Sequence, residues 1–136
     1  MAAGPTTLTR MSILAVVPDL YFATRIAATA KAAGVELELV TAQRVVARLA
    51  EPGASLVIVE LSSRDSLALI AELKRARPAV PVVAFGAHVE EELLRGAKTA
   101  GADAVLPRSQ LVGRLSALLE RGLSALTRSG REDLRL

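Results

Sequence analysis

Five short apolar runs recur along the chain, each followed by a segment with helical spacing, and this alternation limits the folds open to it. The runs are SILAVV (Ser12–Val17), VELELV (Val35–Val40), LVIVEL (Leu56–Leu61), VPVVAF (Val80–Phe85) and AVL (Ala104–Leu106). Short β-branched runs bounded by Pro or Gly read as strands, and single helices between them imply right-handed crossovers and a parallel sheet covered on both faces. The predicted fold class is therefore α/β, a three-layer α/β/α sandwich around a five-stranded parallel sheet. VELELV alternates apolar and acidic residues, which predicts a half-exposed strand at the sheet edge.

The punctuation between the runs places the helices. Pro18 stops the first strand and Asp19 can cap a helix carrying Phe22, Ile26, Ala27 and Ala30 inward to Gly34. Thr41 caps a short second helix through Leu49, and Asp65 to Arg77 forms a third ended by Pro78. Gly86 turns the chain after the fourth strand. A fourth helix opens near Val89 with Glu90, Glu91 and Glu92 at the positive end of its dipole and closes at Gly101. Ser109 is then expected to cap a last helix running through Leu111, Leu115, Leu118, Leu119, Leu123 and Leu126. Residues 1–10 read as a disordered extension, 11–128 as the folded domain and 129–136 as a frayed tail.

Composition excludes several function classes. The 136 residues fit one domain. There is no cysteine and only one histidine, so thiolate chemistry and multi-histidine zinc sites are out of reach, and neither a metal nor another cofactor is expected. The first ten residues lack a basic segment followed by a long apolar one, and no apolar run approaches the roughly 20 residues that span a bilayer. A cytoplasmic location without a membrane span is the expectation. The net charge of +3 resides wholly in residues 108–136, which carry six arginines against three acids. A neutral body with a basic end and few aromatic residues argues against nucleic acid.

In parallel α/β sheets, chemistry gathers at the C-terminal ends of the strands. Those positions hold Asp19, Glu60, Gly86 to His88, and Pro107-Arg108. Their order resembles that of bacterial response-regulator receiver domains, a CheY-like, flavodoxin-like (βα)5 family, over about Met11 to Gly122. The resemblance implies an acid pair after strand one, a phosphorylated Asp ending strand three, a Thr or Ser ending strand four and a Lys-Pro pair ending strand five. This chain has Pro18-Asp19, Glu60, Gly86 and Pro107-Arg108 there. It is thus similar to a degenerate pseudo-receiver, with Asp19, Glu60, Gly86 and Arg108 as a vestigial phosphorylation pocket and no catalytic residue. The resemblance also implies that the Thr and an aromatic on strand five report phosphorylation to the far face, but Gly86 and Ala104 occupy those places, and Arg108 follows the proline where the lysine would precede it.

The reading that follows is a non-catalytic signalling or adapter module that binds a protein partner without phosphorylation. The alternatives are an atypical phosphate-accepting response regulator and, further off, a small hydrolase using Asp19 and Glu60. Glu60 has two readings of its own: a strand-end charge pointing to solvent, or a fixed negative charge paired with Arg108. His88 is expected as a surface or binding residue, since no nucleophile stands at triad spacing from it. In receivers the face made by helix four, strand five and helix five is the output and dimer surface. Here it would bring together Glu90, Glu91, Arg95 and the stripe of Arg114, Arg121, Arg128 and Arg135, and a homodimer through it is expected.

Overall fold

The structure is a computed structural model and describes residues 11–126. Its strands are β1 (Ser12–Val16), β2 (Leu37–Leu39), β3 (Ala54–Glu60), β4 (Val82–Gly86) and β5 (Ala104–Pro107). The helices between and after them are α1 (Leu20–Ala33), α2 (Ala42–Ala50), α3 (Arg64–Ala76), α4 (Glu91–Ala100) and α5 (Arg108–Arg121). All strands pair in parallel in the order β2-β1-β3-β4-β5, so the half-exposed VELELV run does form an edge. This is the flavodoxin-like order, with its switch point at β1 and β3.

Strand alternation sorts the core into two layers. Ile13, Ala15, Leu56, Ile58, Val83 and Phe85 meet α1 and α5 on one face. Leu14, Val16, Val57, Val59, Val82 and Ala84 meet α2, α3 and α4 on the other. The central strands need to be apolar on both sides for this reason.

The junctions depart from expectation in instructive places. Asp19 caps α1 as expected, its Oδ1 accepting the Phe22 N–H at 3.1 Å. Ser109 is not the cap of α5: β5 runs straight into the helix, with Pro107 extended at φ −61° and ψ 151° in the cap position. Gly86 belongs to β4 and pairs with Pro107 rather than turning the chain. The last helix does not continue to Leu126, because Gly122 leaves the helical region at φ 69° and ψ −153°. Helical structure resumes over residues 123–126, and on it Leu126 still reaches the core. Residues 1–10 and 127–136, and with them the expected extension, the frayed tail, Arg128 and Arg135, lie outside the described residues.

Candidate functional site

The parity of β3 decides where Glu60 goes. It shares a face with Leu56 and Ile58, so its side chain turns toward α1 and α5 and not into solvent, and it is only 7% exposed. The solvent-pointing reading is thereby corrected. A buried carboxylate is tolerated when donors meet both oxygens. Glu60 Oε1 accepts the backbone N–H of Asp19 at 3.1 Å, and Oε2 accepts from Arg108 Nη2 at 3.2 Å. The loop after Glu60 is fastened as well, since Ser66 Oγ accepts the Ser62 N–H and donates to the Glu60 carbonyl.

Arg108 reaches the carboxylate because it opens α5 directly after Pro107 and turns back over the strand ends. Its guanidinium lies 5.7 Å from the Phe22 ring centroid and 6.0 Å from that of Phe85, within cation–π range. The two rings are 5.0 Å apart and tilted at 40°. These are the chain's only phenylalanines. Sequence reasoning missed them as part of the site, although the inward position of Phe22 on α1 and the strand-end position of Phe85 were both legible. Arg108 is thus clamped between a carboxylate and two aromatic faces.

Of the four positions expected to share a pocket, the structure brings together Asp19, Glu60 and Arg108. Gly86 lies apart. A Cβ there would meet Leu61 Cβ at 3.2 Å and Leu94 Cδ2 at 3.6 Å, which places it against the α3 and α4 side of the sheet. A bulkier residue at 86 would crowd packed aliphatic groups before it approached Glu60.

Mg²⁺ takes several oxygen ligands in near-octahedral geometry. Here Glu60 has both oxygens committed, Asp19 spends Oδ1 on its helix cap, and a guanidinium already stands against the carboxylate. No group of three or more Asp, Glu or His side chains among the described residues could hold a metal. The donor set does not fit the ion.

The remaining expected contacts divide among three places. His88 is exposed and lines an open groove at the strand ends together with Asp19, Tyr21, Phe22, Arg25 and Arg108. Glu90 and Arg95 line a separate cleft between α3 and α4, opposite Ser62 and Arg64. Glu91, with Arg95 and Lys98, borders a shallow depression against Leu94 and Val105 on the β5 side. The glutamate run is therefore split across α4, as the 100° step of a helix requires. Arg121 is exposed at the end of α5, whereas Arg114 is half-buried and engaged in an interaction of its own.

The receiver domain of NtrX from Brucella abortus matches with a TM-score of 0.71 at 27% identity, over 82% of this chain and 98% of that one. The CheY-like response regulator receiver domain protein from Methanospirillum hungatei matches at 0.68 and 19% identity, over 85% and 98%. The fold is that of a receiver. A CheY-like protein, TadZ, from Pseudomonas aeruginosa matches this receiver-like domain at 0.65 and 21% identity, over 83% and 96%. Against a longer NtrX chain solved with ADP the identity is 26%, and the domain spans only 29% of that chain's length. No family model and no curated protein matches the sequence. No helix among the described residues is long and apolar enough to cross a membrane.

Proposed function

We propose that this receiver-like domain is a pseudo-receiver, a signalling or adapter module that engages protein partners without accepting a phosphoryl group. One observation carries the reading: the side chain in the acceptor's place is a buried glutamate whose two oxygens are held by Asp19 N–H and Arg108. Phosphoryl transfer depends on a free nucleophilic oxygen and on cations arranged around the transferred group. Here the cation is an arginine fixed on the nucleophile itself. Among the described residues no group of acids or histidines that could hold a metal stands beside it, and a glycine takes the place of the hydroxyl. The Glu60–Arg108 pair holds the strand ends in one arrangement, so the domain presents its surfaces constitutively. An association face formed by α4, β5 and α5 belongs to the same proposal, with half-buried Leu94 and Val105 at its centre and Glu91, Arg95 and Lys98 around them.

The test is incubation with acetyl phosphate and Mg²⁺ followed by intact-mass measurement, with a phosphate-accepting receiver run alongside. The expected spectrum is unmodified protein. A mass gain of one phosphoryl group that disappears in Glu60→Gln would overturn the reading in favour of an atypical response regulator.

A further inference from the structure

The leucine pattern of α5 runs on past the end of the helix. Leu115, Leu119 and Leu126 are spaced by four and seven residues, which puts them on one helical face, and the first two are buried in the core. Residues 108–126 include no proline, and residues 123–126 are helical again. Only Gly122 breaks the run, at φ 69° and ψ −153°, where almost no other residue type goes.

Nothing packed around Gly122 enforces the break. Apart from its chain neighbours, no heavy atom of the described residues stands within 4 Å of where its Cβ would lie. Its N–H keeps the helical bond to the Leu118 carbonyl at 2.7 Å, so the chain departs from the helix only after that point. The Ala125 N–H then donates to the Gly122 carbonyl at 3.1 Å, and Ser124 Oγ donates at 3.0 Å to the Arg121 carbonyl, the group that a continuous helix offers to the Ala125 N–H.

The bend serves Leu126. β5 is four residues long, about 13 Å, and the fourteen residues of α5 span about 21 Å, so the helix has outrun this strand by Arg121. A straight continuation would carry Leu126 about 7.5 Å further along the axis, past the end of β5. In the bent form Leu126 is 4% exposed and belongs to the core layer under α1 and α5, with Leu123 packed against that layer.

We propose that Gly122 is a two-position hinge and residues 123–126 a strap. Bent, as here, the strap closes the end of the α1–α5 core layer with Leu126; straight, it lengthens α5 by one turn and brings Leu126 out. The two forms differ in the φ and ψ of one residue and exchange a few local hydrogen bonds, as hinges do. Any contact that favours the longer helix, at the association face to which α5 belongs, draws Leu126 out by its differential affinity for the two forms. The inference stands on α5 itself and goes beyond the pseudo-receiver reading, which neither requires it nor fails with it.

The chain has no cysteine, so a single introduced thiol reports one position. Leu126→Cys and, as a core reference, Leu118→Cys at a position with no exposure are each made in the full chain and labelled with a disulfide reagent across a urea series below the unfolding transition. The thiol at position 126 is expected to react about tenfold or more faster than the one at 118, at a rate nearly independent of urea, because the strap opens without the rest of the fold. Adding Gly122→Ala, which disfavours the bend and suits a helix, should raise the rate at 126 about tenfold or more. Gly122→Ala alone, with Leu126 in place, should gain far-UV helicity. The proposal is overturned if the two thiols react at the same rate with the same urea dependence, since Leu126 would then leave only on global unfolding. It is equally overturned if Gly122→Ala leaves the rate at 126 unchanged, or raises it while helicity falls, which is fraying rather than straightening. Should Gly122→Ala not fold, the comparison of positions 126 and 118 with Gly122 in place decides alone.

Discussion

Glu60 and Arg108 are each acceptable where they lie only because of the other. Removing one partner of a buried pair leaves an uncompensated charge, whereas removing both costs much less. Arg108→Met leaves the Glu60 carboxylate with the single Asp19 N–H, and urea unfolding should show a loss of about 1–3 kcal/mol. Glu60→Gln keeps an oxygen for Asp19 and loses the ionic contact, with an expected cost of about 1 kcal/mol. In the double variant the losses should be clearly less than additive, since the stranded carboxylate is gone. Strict additivity would mean that the 3.2 Å contact contributes nothing to the folded state. The sequence marked both residues as strand-end charges. It could not show that Arg108 turns back over the sheet, because that depends on Pro107 passing the chain straight from β5 into α5.

Helix α5 carries one glycine and is ended by another, alike in sequence and opposite in structure. Gly113 is helical and exposed, with open space where a Cβ would stand. Alanine there restricts the unfolded chain without a clash, so Gly113→Ala should stabilise by about 0.5–1 kcal/mol. Gly122 has the same open space but sits at φ 69° and ψ −153°, a region almost reserved for glycine. Gly122→Ala should destabilise by about 1–3 kcal/mol through backbone strain alone. Thermal melts of the two variants should move in opposite directions. A rise in both would mean a helix uninterrupted to Leu126, as the leucine spacing implies. Of the arginines at seven-residue intervals, Arg114 and Arg121 share α5, and Arg128 and Arg135 lie outside the described residues.

Across the molecule, two helices cover one face of the sheet and three the other, and the association face proposed above, of α4, β5 and α5, lies at the β5 edge. Exposed charge pairs contribute little to affinity, about 0–1 kcal/mol each, but they set encounter rate and salt dependence. The expected behaviour is a homodimer that weakens with salt. Lys98→Glu combined with Arg121→Glu should shift sedimentation toward monomer while changing fold stability by only about 0.5 kcal/mol. Sedimentation and salt response identical to those of the unaltered chain would remove this face from consideration.

The alternation of apolar runs with helical spacing, the Pro and Gly stops, the edge character of VELELV and the Asp19 cap were all legible before any fold was known. They follow from periods of two and 3.6 residues and from local turn chemistry, which act over a few positions. The burial of Glu60 was not legible in that way. Its parity with Leu56 and Ile58 was visible, but which helices roof that face depends on strand order and crossover direction. The same holds for the meeting of Phe22, Phe85 and Arg108, which are far apart in the chain and adjacent only once α1, β4 and α5 close over the strand ends. The split of the glutamate run and the isolation of Gly86 likewise depend on which neighbour each side of α4 and β4 faces. Periodicity says which residues share a side, and only the packed neighbours decide whether that side is a solvated edge, a core or a clamp.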